Sequence, residues 1–332
     1  MKILFNPITT KLEQPTSSKI AVFGDIEDDI TYTFSGKSAL AMLLHYYRSA
    51  GVLRDRTDEI LVPQWLGIPV YESIHKFCFP TTSYNDRVRG VLAYHQWGYP
   101  QHMDTLKKFC KGKGLFLIED CAHSFESWFN GQRLGTFGDA AIFSLAKFFP
   151  SVMGGATYTT DATIRTFVAR AIGNDDPILA KEFFDTRLAF DREPTDRHRV
   201  ELEKSYIVYN RALKCPEYSL AVARKETSDG AMDMRKRHYT RYAKAFGSEE
   251  HLSELLKEQV VPWVVPLFFD EETCKSVAVA LQSEGIEADV YHFDVNRNML
   301  NPNFVPCVPV PCHQKMSDEE VDRVITIVKA LS

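Results

Sequence analysis

The sequence predicts an α/β protein: a mostly parallel central sheet with helices on both faces, followed by a small C-terminal α+β domain. Three observations predict it. From residue 36 to about 160 short apolar strand signals alternate with amphipathic helical ones, the rhythm of a parallel sheet. The stretch "LFLIED" is apolar throughout and carries acids only at its C-terminal end. From about 258 the pattern changes to a few strands with two helices at the end of the chain.

Taken in order, "FSGKSALAMLL" opens an apolar helix that runs to Gly51, with Ser35 placed as its N-cap. "EILVP" is a short buried strand ended by Pro63, and "QWLGIPVYESIHKF" is a helix broken near Pro69. "VRGVLAYHQ" is a strand, "QHMDTLKKFCKGKG" an amphipathic helix ending in glycines, and "DAAIFSL" and "ATYTT" are strands. The section from 161 to 205 is charged and helix-prone, and a long helical section, "SLAVARKETSDGAMDMRKRHYTRYAKAF", follows. "VVPWVVPLFF" reads as a strand pair or a bent strand, "DEETCKSVAVALQSEG" as a helix and "IEADVYHF" as a strand. "MSDEEVDRVITIVKAL" is a closing helix with Ser317 and Glu320 in capping-box positions.

The 332 residues, 45% hydrophobic, suffice for two domains, expected over 1–205 and 206–332. The net charge of −5, with acids and bases well mixed and no basic run among aromatics, argues against nucleic acid as a partner. No secretory leader and no apolar run near the ~20 residues of a membrane span is evident, so a cytoplasmic protein without membrane attachment is expected. The seven scattered cysteines suit reduced thiols. Cys121 with His123 and Cys312 with His313 lack further ligands, so no metal is expected.

Gly36-Lys37-Ser38 matches the end of a nucleotide phosphate loop, but the glycine that loop needs five residues earlier is Thr31, within the strand-like "ITYTF". An NTPase is therefore disfavoured. Free N–H groups at a helix start still form an anion site, and an ordinary capped helix start reads the same way. Ligands of such sheets bind beyond the carboxyl ends of the strands. Glu119 and Asp120 stand at such an end with His123 beyond them. They are either a solvated strand end or a carboxylate set to pair with a protonated ring nitrogen. Ser144 and Lys147 stand at another, with Gly154-Gly155 seven residues after the lysine. Lys147 lies among Phe143, Phe148 and Phe149. It either snorkels to solvent or is desolvated, its pKa lowered for a bond to an aldehyde. Trp65, after a strand, is either core or a stacking surface. One ligand accounts for all of these features. Pyridoxal phosphate (PLP) needs a lysine, a carboxylate, a phosphate cradle and a flat partner for its ring, here Trp65 or His123.

The order of these elements resembles the DegT/DnrJ/StrS family of PLP-dependent sugar aminotransferases over about residues 33 to 330. "FSGKSAL" is similar to the family's phosphate turn "SGTxAL", "ILVPQW" to "VLVPAYT", and "AYHQWGYPQHMDTL" to "VHLYGxPADMDAL". "LIEDCAHSFESWFNGQRLGTFGDAAIFSL" matches the family's acid-and-glycine stretch, with Gly131, Gly135 and Gly138 in register. "KFFPSVMGGATYTTD" keeps its lysine-to-glycine spacing, and "PVPCHQKMSDEEVDRVI" resembles its closing segment. The chain departs by having three positions from Ser144 to Lys147 where the family commonly has five, Lys37 for threonine, and "SVMGG" for "TGEGG".

The resemblance implies a fold-type I PLP-dependent transferase. Lys147 would carry the cofactor and move the proton, and Asp120 would pair with the ring nitrogen. His123 would lie near the cofactor's phenolic oxygen. Ser144 and the helix start at Gly36, Lys37 and Ser38 would hold the phosphate. Asn210 of "VYNRAL" would reach the neighbouring subunit's cofactor, so a homodimer with sites at the interface is implied. The expected reaction moves an amino group, by resemblance from glutamate, to a nucleotide-linked keto sugar of polysaccharide, lipopolysaccharide or antibiotic synthesis. A PLP-binding regulator or non-catalytic relative of the same fold is the alternative, and the shortened lysine loop is its support. A dehydratase of the family would carry a histidine in place of Lys147.

Overall fold

Strands β1 (Ile30–Thr33), β2 (Glu59–Leu61), β3 (Phe79–Thr81), β4 (Val88–Tyr94) and β5 (Phe116–Cys121) belong to one central sheet. Helices α1 (Gly36–Ser49), α2 (Ile68–His75) and α3 (Met103–Lys113) connect them in the computed structural model. The structure describes residues 2–8, 20–172, 177–193, 195–205, 211–257 and 259–332. A two-strand ribbon, β6 (Trp128–Phe129) and β7 (Gln132–Arg133), precedes β8 (Ala140–Ser144), the single turn α4 (Leu145–Phe148) and β9 (Gly155–Tyr158). The central sheet has the order β1-β9-β8-β5-β4-β2-β3, and only β9 runs against its neighbours.

Helices α5 (Ala162–Ala171), α6 (Pro177–Arg192), α7 (Asp196–Ser205), α8 (Glu217–Ser228), α9 (Ala231–Phe246) and α10 (Glu250–Leu255) follow. The long helical section is thus two helices, α8 and α9, divided at Gly230, whose φ of 78° breaks the first. A second sheet, in the order β10-β12-β11, is built from β10 (Val264–Phe268), β11 (Tyr291–Asp294) and β12 (Phe304–Pro311), with α11 (Glu271–Ser283) between the first two. Helix α12 (Asp318–Lys329) closes the chain with the expected Ser317–Glu320 capping box.

One expectation needs correction. Pro69 does not break α2. It stands in the first turn, where its missing N–H costs nothing. Of the two readings of 260–269, a pair or a bent strand, the structure gives a single strand, β10, over Val264–Phe268, and its antiparallel partner is β12, which carries Pro306, Pro309 and Pro311 and does not read as a strand.

Strand alternation decides what each face carries. In β5, Leu117 and Cys121 enter the core on one face, whereas Ile118 enters the core beneath α1 on the other, with Ala140 and Ile142 of β8. The neighbouring acids Glu119 and Asp120 therefore point to opposite faces. Only Asp120 shares the face of α1.

Candidate active site

The start of α1 meets the sheet closely enough to create a recess. Ser35 is extended and accepts from Ser38 N–H through its Oγ at 3.1 Å, the predicted cap. Thr31 lies in β1, its backbone paired with Thr157, so no nucleotide loop precedes the helix. The approach depends on Gly155. A Cβ there would stand 2.2 Å from the carbonyl carbon of Ser35 and 2.3 Å from Gly36 N. Gly155→Ala is expected to lower stability by about 3 kcal/mol or more, because backbone cannot yield as a side chain can. Thermal unfolding checks this, with Gly51→Ala, which meets no atom but has a φ of 74°, as a strain-only comparison.

A cavity of about 320 Å³ opens at this junction. Ser35, Gly36 and Lys37 supply one wall. Asp120, His123, Ser144 and Lys147, from the carboxyl ends of β5 and β8, supply another, and Tyr94 of β4 joins them. Leu66, Gly67, Pro69 and Val70 form a third wall, and Arg187 of α6 reaches the same space.

Asp120 is 2% exposed, and its Oδ1 accepts from Ala122 N–H at 2.9 Å. Burial pushes its carboxyl up to about 6, against the opposing pull of that N–H, His95 and Lys147. Lys147 Nζ lies 4.4 Å from the centre of the Trp263 ring. Burial first, and then the charge of Arg187, lower its amine to about 8. Burial and Lys147 lower Lys37 to about 7. His123 is stacked on Trp263, the ring centres 4.0 Å apart, and its Nδ1 lies 2.6 Å from the Tyr94 hydroxyl. Burial drives the His123 imidazole well down and the Tyr94 phenol up. Both are neutral near pH 7, and a single hydrogen bond joins the phenol to Nδ1. Asn6 fixes the Trp263 indole, accepting from Nε1 at 2.8 Å.

Glu119, on the other face, has a structural task. It accepts from Gly135, Phe137 and Gly138 N–H at 2.6–2.8 Å and lies 3.1 Å from His95 Nε2. His95 Nδ1 accepts from Gln101 N–H, so Nε2 is the donor. His95, Glu119 and Cys121 lie close enough to share a metal ion, but the carboxylate's lone pairs are already spent on these bonds. The seven cysteines are unpaired, buried thiols.

Most of the expected site residues meet at this cavity: Gly36, Lys37, Asp120, His123, Ser144 and Lys147. Ser38 does not line it. Its side chain turns to Ser35, 3.2 Å between hydroxyl oxygens, and its amide serves the cap. Trp65 is also outside. It lies beyond the end of β2, is 51% exposed, and stacks on His292 with Phe304 nearby, so the expectation of a ring partner there is corrected. His123, braced by Trp263, is the flat group within the cavity. Asn210 lies outside the described residues. Sequence reasoning missed Tyr94, Trp263 and Arg187. Tyr94 had one signal, its place at the end of "VRGVLAY" in register with Asp120. Arg235 was also missed. This fully buried guanidinium of α9 donates to the carbonyls of Lys147 and Phe148 at 3.2 and 3.3 Å and thereby holds the lysine turn.

The family follows from the chain as a whole. A model of the DegT/DnrJ/EryC1/StrS aminotransferase family matches residues 80–329. This chain belongs to that family. Among its relatives, the GDP-perosamine synthase of Escherichia coli O157:H7 is 35% identical over 81 residues, 24% of this chain and 22% of that protein. The UDP-4-amino-4,6-dideoxy-N-acetyl-beta-L-altrosamine transaminase of Helicobacter pylori is 22% identical over 263 residues, 72% of this chain and 65% of the relative. The aligned stretches thus cover less than two thirds of these relatives' own length. The solved structure of Helicobacter pylori PseC, an aminotransferase involved in the biosynthesis of pseudoaminic acid, has a TM-score of 0.70 at 17% identity, covering 100% of this chain and 99% of that one. The fold is that of these sugar aminotransferases. Among the described residues no helix is long and apolar enough to cross a membrane.

Proposed function

We propose that the chain is a PLP-dependent aminotransferase that moves an amino group from glutamate to a keto sugar carried on a nucleotide. Its product would serve polysaccharide, lipopolysaccharide or antibiotic sugar synthesis. The observation that carries this reading is the convergence of Lys147, Asp120 and the capped start of α1 on one cavity. The donor set fits PLP. An amine of lowered pKa suits the aldehyde, a buried carboxylate suits the ring nitrogen, and a helix start with Lys37 and Ser144 suits the phosphate. The names of the relatives support the sugar substrate.

When bound, PLP supplies a conjugated ring that takes up the electron pair released at the substrate carbon. Asp120 keeps the ring nitrogen protonated. Lys147 would hold the aldehyde, and its Nζ, when free, would be the base for the proton on the donor's carbon. Tyr94 and Trp263 hold His123 rigid beside these groups. Lys37, Ser144 and the amides at the helix start meet the charge of the phosphate.

The same reading gives a cytoplasmic homodimer with sites at the subunit interface. Exposed Trp65 and Ile68, flanking the wall residues Leu66 and Gly67, form an apolar rim that a second copy would cover. Sedimentation of the purified protein reports the dimer. The function is tested with isotope-labelled glutamate and a panel of nucleotide-linked keto sugars. Mass spectrometry is expected to find labelled nitrogen in an amino sugar nucleotide. Binding of PLP with no transfer to any of the panel would favour a non-catalytic relative.

A further inference from the structure

In the proposed reaction Lys147 works in two forms. Its neutral amine attacks the aldehyde, and its free amine becomes an ammonium when it takes up a proton. Among the described residues this amine has no ion pair. Arg187 of α6, Glu287 ahead of β11 and Asp120 of β5 act on it through their charge alone. What it does meet is an indole face, with Nζ 4.4 Å from the centre of the Trp263 ring. The indole is held from several sides. Its Nε1 donates to Asn6 Oδ1 at 2.8 Å, the Phe5 ring meets it edge-on at 5.6 Å, and His123 stacks on it with the planes 17° apart. Its backbone N–H donates to the Trp97 carbonyl at 2.8 Å. Phe5 and Asn6 are fixed in turn. Ile3 N–H donates to the Gly285 carbonyl, Glu287 N–H to that of Ile3, and Phe5 N–H to Glu287 Oε2 at 2.7 Å.

We propose that Trp263 is the seat of the free Lys147 amine, its indole face holding the ammonium form in the cavity by a cation–π contact. The use of this seat rests on the aminotransferase reading, whereas the seat itself stands on the geometry. Three arguments carry it. First, the distance is well inside the roughly 6 Å over which such contacts act, and tryptophan offers the strongest ring. Second, the seat discriminates between the two forms. The negative face of the ring attracts an ammonium and has little hold on a neutral amine, so it releases the form that attacks the aldehyde. A carboxylate in the same place would hold the ammonium far more tightly and raise its pKa. Third, the seat meets a charge where one develops. When Nζ takes the proton from the donor's carbon it becomes positive. Burial and Arg187 both oppose that charge, and the ring offsets them. Trp263 is thus a positioning residue that acts through Lys147.

The test uses the full chain freed of PLP and labelled with carbon-13 at the lysine ε-carbons, the Lys147 signal being assigned by its loss in Lys147→Met. Trp263 is replaced in place by tryptophans of increasing fluorine content, which keep the ring's shape and its N–H but weaken its negative face. The ring favours the charged amine, so weakening it eases deprotonation. The titration midpoint of Lys147, followed by NMR, is expected to fall stepwise, by about 0.4 to 1.5 pH units across the series. Asp120, Glu287, Arg187, Lys37 and His123, the charged or titratable groups around the amine, are common to every member and give no such trend. The Lys147 ε-protons should also be shifted upfield by the indole, and Trp263→Leu should abolish that shift. A midpoint that stays constant along the series, or ε-protons without a ring shift, overturns the proposal. Mixing each protein with PLP then reads the use of the seat: the pH midpoint of attachment should move with the NMR midpoint. Attachment of PLP to a lysine other than Lys147 would overturn the aminotransferase reading, while the NMR midpoints, measured without PLP, decide the seat independently.

Discussion

Lys147→Ala is expected to lower turnover by at least about 10³-fold and to leave the fold intact. The amine does two tasks in the proposed reaction. Tyr94 and His123 are both neutral near pH 7 and bonded to each other, Asp120 is pledged to the ring nitrogen, and Lys37 opens α1, where the phosphate is expected. Lys147→Arg should lose as much activity although it keeps the charge, because a guanidinium neither bonds the aldehyde nor gives up a proton at working pH. The environment of the lysine also sets a pH dependence. With a pKa of about 8, about a quarter of the amine is neutral at pH 7.5, against roughly one part in a thousand for an ordinary lysine. Only the neutral amine attacks an aldehyde. The rate of PLP attachment should therefore rise with pH through about 8 and level off above it. Stopped-flow absorbance of apoprotein mixed with PLP measures that curve, and unfolding curves establish that the variants are folded.

Asp120→Asn is expected to cost about 10²- to 10³-fold in turnover, the usual scale for removing one preorganised charge from an excluded site. The carboxylate is buried, points to the face of α1 and accepts from the Ala122 N–H. A cationic ring nitrogen would complete its bonding. Without the cofactor its carboxyl sits near 6, because burial disfavours the anion. Below that value Asp120 binds a proton and can no longer hold a cation, so PLP affinity should fall as the pH drops through about 6. The asparagine variant should have lost this dependence while keeping the rise at higher pH that belongs to Lys147. Equilibrium dialysis of PLP across that range separates the two groups.

Much of this site could be read from the chain because its parts are local. An acid at the end of an apolar strand, a lysine one turn after another strand, and a capped helix start each announce themselves within a few residues, and the sheet brings strand ends together. What the chain concealed depends on direction or on distance. Glu119 and Asp120 look equivalent in sequence, yet strand alternation gives one to a glycine-rich turn and the other to the cavity. Trp65 follows Pro63 outside its strand, so no alternation fixes its side chain, and it finds His292 instead of the cavity. Arg187, Arg235 and Trp263 reach the lysine from helices and a strand edge more than 35 residues away, and no local pattern marks them. β12 was hidden by its prolines. The departure "SVMGG" gains a physical meaning here. Val152 has a φ of 65°, a conformation that glycine adopts freely and a β-branched residue does not, and it lies on the cavity wall. The shortened turn before Lys147 nonetheless delivers its amine to the cavity, held from behind by Arg235.

The central claim is that Lys147 is the residue that carries PLP, and the cavity itself supplies a rival. Lys37 lines the same space, with a pKa of about 7 against about 8 for Lys147, so by basicity alone it would be the readier nucleophile. Position separates them: Lys147 lies over Trp263 among the groups at the ends of β5 and β8, while Lys37 opens α1 where the phosphate is expected. Protein loaded with PLP and reduced with borohydride should yield a single modified peptide, and fragmentation should place the added mass on Lys147. Added mass on Lys37, or none on either lysine, would contradict the account.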